Sequence, residues 1–197
     1  CPDIQFFGTD SPGGKYFTYL TEELPCVVQT LFPSSPKRED NFVMGYAMGA
    51  NVALGVSILR PQLFCACLDI SGGIGMTLQT STMVEELSGD HFKKYMPSYH
   101  IAFGSPEEFP GSAYDLYPAA KRHKASGQKL TDFILVCGSK EFIRKRVEDD
   151  AARLQELEYP VTYICVEGYD HDWKTWDVYT MRGFRELLPL KREYLYV

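Results

Sequence analysis

Four short apolar runs, each bounded by turn residues and set between stretches of helical spacing, constrain this chain more than any other feature. They are Asn41 to Gly45, Leu63 to Ile70, Asp132 to Cys137 and Val161 to Val166. Runs of this length, apolar and rich in Val, Ile, Leu, Phe and Cys, read as strands covered on both faces. Between or after them, Met48 to Leu59, Arg144 to Glu158 and Trp173 to Leu187 carry helical patterns. Strand and helix in alternation require crossover connections, so the expected fold class is α/β, with a mostly parallel sheet and helices on both faces. A chain of 197 residues that is 45% hydrophobic and 14% aromatic can bury one core. Residues 1–197 are therefore read as a single domain.

The remaining segments are less regular. The opening Cys1-Pro2-Asp3 runs into the loop-like Phe7 to Gly14, and Lys15 to Phe32 has helical spacing with Pro25 as a kink or break. From Ile74 to about Lys129 aromatic residues mix with Pro, Ser and Gly around one helical stretch, Thr80 to Leu87. That is too long for a connection and too broken for a core, so 74–129 is read as a lid or cap inserted over the domain. Phe92, Tyr95, Tyr99 and Phe103 would mostly form its interior, and His91, His100 and His123 would be exposed or structural. Four strands alone leave an apolar sheet edge uncovered, and something is expected to pack there.

Charge and cysteine usage narrow the function classes. Lys and Arg number 20 against 26 Asp and Glu, a formal charge of −6. With no long basic run, a nucleic-acid surface is a poor reading, and a small-molecule partner fits better; a homo-oligomer remains compatible. The charges of Arg144-Lys145-Arg146 and Glu148-Asp149-Asp150 read as a solvated helix face. Cysteines fall at 1, 26, 65, 67, 137 and 165, four of them in apolar runs and none in a metal-like CxxC pair. They read as small buried thiols, with no metal, no cofactor and no disulfide framework implied. No apolar stretch approaches the roughly 18 residues of a membrane span, and no leader opens the chain. The expectation is a cytoplasmic protein, with secretion left open because any leader would lie upstream of Cys1.

Chemistry concentrates in three places. Gly45-Tyr46-Ala47-Met48-Gly49 lies between a predicted strand and a predicted helix. With Ser at 47 it would be G-x-S-x-G, the strained turn that lifts a nucleophile out of a sheet. The 132–137 strand is followed by Gly138-Ser139-Lys140-Glu141, a carboxylate just past a strand's C-terminal end, where catalytic groups gather in such sheets. After the last strand comes Gly168-Tyr169-Asp170-His171-Asp172-Trp173. Glu141 is the candidate orienting acid and His171 the candidate base. Asp170 and Asp172 rank lower, since chain neighbours rarely aim their side chains at each other. The order nucleophile position, acid, histidine is that of α/β-hydrolases.

These stretches resemble the esterase D-like family, which includes S-formylglutathione hydrolases, tributyrin-type, feruloyl and acetyl esterases, and mycolyltransferases. Lys37 to Gly72 is similar to the family's nucleophile region, Cys137 to Phe142 to its acid loop, and Gly168 to Asp177 to its histidine loop; Asp10 to Pro25 is similar to the helix before them. The resemblance implies an α/β-hydrolase fold in which Ala47 holds the nucleophile position, Glu141 stands where Asp is usual, His171 is the base, and the Met48 N–H is one oxyanion donor. It also implies upstream strands and a loop carrying the second oxyanion donor, so the N-terminal third of the family's domain is expected to be missing. Trp173 and Tyr46 are candidate substrate contacts, although Trp173 and Trp176 also suit helix packing. The implied function is a serine esterase acting on small acyl or aryl esters, such as acetyl or feruloyl esters of carbohydrate. With Ala47 it is expected to be inactive, as an engineered trap or as a natural chain without a nucleophile. The alternatives are an S-formylglutathione hydrolase, a non-catalytic binding protein and an acyltransferase.

Overall fold

The computed structural model describes residues 8–72, 96–105 and 108–190. A two-residue hairpin, β1 (Asp10–Ser11) and β2 (Gly14–Lys15), leads into α1 (Tyr16–Thr18), a π-helical turn over Tyr19–Glu23, and α2 (Leu24–Leu31). Pro25 does not break this helix. It enters at the first turn of α2, just after the widened turn in which the Leu24 N–H bonds the Tyr19 carbonyl. A wider turn relieves the clash a proline ring makes with the preceding turn.

The four expected strands form one parallel sheet in chain order: β3 (Phe42–Tyr46), β4 (Ala66–Ile70), β5 (Asp132–Gly138) and β6 (Val161–Val166). Phe42 pairs with Ala66, Ala66 with Asp132, and Phe133 with Val161. The second strand is shorter than expected because residues 61–63 form a turn rather than extended chain. Helices α3 (Met48–Leu59), α5 (Leu116–Ala125) and α6 (Arg144–Glu156) pack on one face, where Leu54, Ile58, Ala120, Phe133, Leu135 and Leu154 are buried together. Sequential strand order with crossovers of one hand places all crossover helices on the same side. The other face is closed by α7 (Trp173–Arg182) and its π-helical extension Gly183–Leu187, over Leu68, Ile70, Ile134 and Val136.

Within the expected 74–129 insertion, the Thr80 to Leu87 helix, His91, Phe92 and Tyr95 lie outside the described residues. The described part is α4 (Met96–Phe103) and α5. Phe103 meets Phe109 and Tyr114, and Tyr114 meets Phe17 of α1, so this part is fastened to the N-terminal helix through aromatic edges. α5 departs from the lid reading, because Leu116, Ala119 and Ala120 belong to the main core. The surface reading of 144–150 holds for Lys145 and Asp149, which pair along α6, but Asp150 is buried. Among the cysteines, Cys67 and Cys137 are buried, whereas Cys26 and Cys165 are exposed, the latter because β6 is an edge strand. No helix among the described residues is long and apolar enough to cross a membrane.

The opposite edge, β3, has no strand beside it among the described residues. An apolar groove of about 550 Å³ runs there between α2 and the sheet, lined by Leu20, Leu24, Val28, Phe42, Met44 and Val52. Among the described residues, α2 is the element that packs beside this edge.

Gly45 explains how β3 turns directly into α3: a Cβ on it would strike the Gly49 carbonyl and the Ala50 nitrogen, whereas a Cβ on Gly49 would meet nothing. Gly45→Ala is expected to lower stability by about 1–3 kcal/mol through this clash. Gly49→Ala should raise it by up to about 1 kcal/mol, since Gly49 lies inside a helix. Denaturant midpoints of the two variants check both signs.

Candidate active site

All four strands run the same way, so their C-terminal ends line one edge of the sheet, and the candidate residues follow those ends: Ala47 after β3, Ser71 after β4, Glu141 after β5 and His171 after β6. Ala47 has φ 50° and ψ −123°, a backbone state unfavourable for any residue with a Cβ. Its N–H bonds the Ile70 carbonyl at 2.9 Å, and its own carbonyl receives the Ala50 N–H at 3.1 Å. The turn is thus tied to β4 on one side and to α3 on the other. Met48 opens α3, where backbone N–H groups have no acceptor within the helix and can face an anion.

The acid and histidine loops are stitched together before their side chains meet. The Ser139 N–H bonds the Val166 carbonyl at 2.9 Å, the Lys140 N–H bonds the Tyr169 carbonyl at 3.0 Å, and the Gly168 N–H bonds Ser139 Oγ at 2.9 Å. Gly138 is required at this junction because a Cβ there would strike the Tyr169 carbonyl. Glu141 Oε2 lies 2.9 Å from His171 Nδ1. A carboxylate only accepts, so Nδ1 carries the proton and Nε2 is left as the basic nitrogen. The Glu141 side chain is fully buried and that of His171 is 22% exposed. Glu141 Oε1 receives two donors, Ser71 Oγ at 2.8 Å and the Gly138 N–H at 2.7 Å.

The two competing acids have local duties. Asp172 caps α7, accepting the Thr175 N–H at 3.0 Å, and that bond holds its carboxyl below the usual range even against the cost of burial. Asp170 accepts the His171 N–H at 2.8 Å, a turn contact within the loop. The buried Thr175 hydroxyl bonds the Asp170 carbonyl at 2.6 Å, fixing the path of the histidine loop.

Aromatic rings surround the imidazole. The Phe142 and Trp176 rings lie 5.1 and 5.2 Å from that of His171. Tyr46, adjacent to Ala47, stacks on Trp176 at 5.1 Å and meets Trp173 edge-on at 5.4 Å. β3 and β6 are three strand spacings apart, roughly 14 Å, so this stack is the contact by which the start of α7 reaches back to the elbow. Trp176 also packs on the sheet, while Trp173 (68%), Phe142 (64%) and Tyr46 (40%) stay exposed. His100 is exposed, and the His123 ring pairs with Gln128 Oε1 at 3.2 Å. No group of three or more metal-ligating side chains occurs among the described residues.

Sequence reasoning missed Ser71, Asp69, Thr175 and Phe142. A signal existed for the first two: Asp69 is a lone charge in a strand otherwise apolar, and Ser71 ends that strand at the edge where ligands gather. Asp69 is 1% exposed; its Oδ1 accepts the Gly72 N–H at 2.8 Å and its Oδ2 has no hydrogen-bond partner. Burial, with Asp150 and Glu141 adding repulsion, pushes its carboxyl up to about 7 despite the Gly72 bond. Cys137, packed against Glu141, has its thiol pushed up by burial and then by that carboxylate, so it stays protonated.

A buried acid bonded to a histidine and a strained strand-to-helix turn lie on one edge of a parallel sheet of the α/β-hydrolase type. Residues 10–189 match the family described as "Putative esterase", and the chain belongs to that esterase family. It is 23% identical over 185 residues to an acetyl esterase of Caldicellulosiruptor saccharolyticus, covering 91% of this chain and 66% of the relative. It therefore spans slightly less than two thirds of that protein's length. Among solved structures it resembles the fluorophosphonate-binding serine hydrolase F of Staphylococcus aureus, with TM-score 0.76, 21% identity, and 94% and 68% of the two chains covered. It also resembles an S-formylglutathione hydrolase of Staphylococcus aureus, with TM-score 0.74, 21% identity and the same coverage. These likenesses support the fold.

Asp69 makes stability depend on pH. Its folded-state pKa is raised, so between the ordinary aspartate range and about 7 the folded state holds a proton that the unfolded chain has lost. Stability from this group is then full at about pH 4 and falls as pH rises towards 7, on the order of 1.4 kcal/mol per unit. Asp69→Asn should flatten that slope in melts recorded across this range.

Proposed function

We propose that this chain carries the acid–base half of a serine esterase and, with Ala at 47, binds esters without cleaving them. The reading rests on one observation: buried Glu141 bonded to His171 Nδ1 at 2.9 Å, on the sheet edge where the Ala47 turn ends. With Ser at 47, His171 Nε2 takes the hydroxyl proton as the oxygen attacks the ester carbonyl. Glu141 holds the Nδ1 proton and stabilises the imidazolium. The Met48 N–H faces the developing oxyanion. His171 then returns its proton to the leaving alcohol, an acyl-enzyme remains, and water attacks it by the reverse proton path to release the acid.

The exposed rings of Tyr46, Trp173 and Phe142 beside the imidazole favour small acyl or aryl esters, and a flat ring on either side of the scissile bond can lie against them. Acetyl or feruloyl esters of carbohydrate meet that description. A binding role is favoured by Ala47 itself, and both readings are separated by restoring the nucleophile.

Ala47→Ser should hydrolyse p-nitrophenyl acetate, p-nitrophenyl butyrate or methyl ferulate and take up a fluorophosphonate covalently, read as an added mass. The unaltered chain should do neither. Adding His171→Ala should lower the rate about 10⁴-fold or more. The covalent adduct is read alongside turnover because it reports the attacking oxygen directly. An Ala47→Ser protein that stays unlabelled and turns over no ester rejects the esterase reading in favour of binding.

A further inference from the structure

We infer that Ser71 is a positioning residue for the acid, holding Glu141 so that only Oε2 is presented to His171. Three non-glycine residues among those described have positive φ: Ala47, Ser71 and Glu158. Glu158 follows the end of α6 at the surface, whereas Ala47 and Ser71 follow adjacent parallel strands at the candidate site. Five described glycines also take positive φ, so this chain uses glycine freely where only the backbone matters. At position 71, with φ 60°, it keeps a side chain instead, and that side chain is completely buried. A residue held in such a backbone state is retained by what its side chain does.

The Ser71 hydroxyl donates to Glu141 Oε1 at 2.8 Å, and its N–H bonds the Val136 carbonyl at 2.7 Å. The bond joins residues 70 positions apart, from the end of β4 to the loop after β5. With the Gly138 N–H on the same oxygen, Oε1 has two donors, so the carboxylate cannot exchange its oxygens without losing both. Glu has one more rotatable bond than the Asp usual in the resembled family, so its carboxylate needs this second anchor. The groups facing Glu141 are His171 from the loop after β6, Cys137 of β5, Ser71, and the Asp69 carboxyl of β4, itself close to Asp150 of α6. Ser71 and the Gly138 N–H are the two donors to Oε1, while the His171 ring is the donor to Oε2.

The inference rests on Glu141 and His171 acting as a pair, but its test needs no ester turnover and is made on the Ala47 chain as it stands. In ¹⁵N-histidine-labelled protein, the His171 Nδ1 proton is identified by its loss in His171→Gln. It should resonate downfield and exchange slowly with water. Ser71→Gly suits φ 60°, so a mere turn residue would tolerate it without effect. We expect instead that the Nδ1 proton moves upfield and exchanges roughly tenfold faster or more, as for loss of a hydrogen bond to a charged group. Ser71→Ala should do the same. In a Glu141→Gln background, Ser71→Gly should change nothing further, since the effect travels through that carboxylate. An unmoved Nδ1 proton in a folded Ser71→Gly protein overturns the inference. So does an equal change in the Glu141→Gln background, which would mark a general loss of structure. If Ser71→Gly does not fold, Ser71→Ala is read by the same two criteria.

Discussion

Parallel pairing in sequential order is the constraint on which the site depends. Because β3 to β6 all point one way, each strand delivers its next residues to one edge, and four segments far apart in sequence are compared side by side. The register continues past the strands: the Ala47 N–H bonds Ile70, the Ser71 N–H bonds Val136, and the Ser139 N–H bonds Val166. The elbow, the acid loop and the histidine loop are therefore extensions of the sheet's hydrogen bonding. Their positions inherit the rigidity of a core closed on both faces by helices.

The electrostatics of that edge follow from burial. Glu141 is fully enclosed, and an enclosed carboxylate is tolerated only with donors on its oxygens. It has three: the Ser71 hydroxyl, the Gly138 N–H and the His171 ring. Asp69, one strand away with a single backbone donor, is raised towards neutrality instead. The two buried acids thus differ in their hydrogen-bond donors, three on Glu141 against one on Asp69.

Much of the fold was legible in the sequence because strand and helix periods are local. The boundaries of β6 and α3 coincide with their apolar patterns, and the order elbow, acid, histidine fits the chain's expected class. Three readings were altered by packing. Pro25 sits inside a continuous helical segment because a π turn makes room for it. The segment before β5 contributes α5 to the core, since the small buried Ala119 and Ala120 allow a helix to lie close to α3. Asp150, read as part of a solvated face, is buried against the sheet side of α6.

By itself the sequence determined the alternating elements, the strained turn at Gly45–Gly49 and the few side chains able to do acid–base chemistry, because each depends on neighbours a few positions away. The sequence also ranked Glu141 above Asp170 and Asp172 as the acid for His171, but the bond itself is made only by tertiary structure. Asp170 and Asp172 are next to His171 in the chain, yet they cap and brace its loop, while Glu141, 30 positions away, makes the bond. Tertiary structure likewise decided that Ser71 anchors that acid and that Phe142 and Trp173 stand exposed beside the base. Such relations are set by which strands pair and which loops cross, and a carboxylate's partner is fixed by three-dimensional distance rather than by order along the chain.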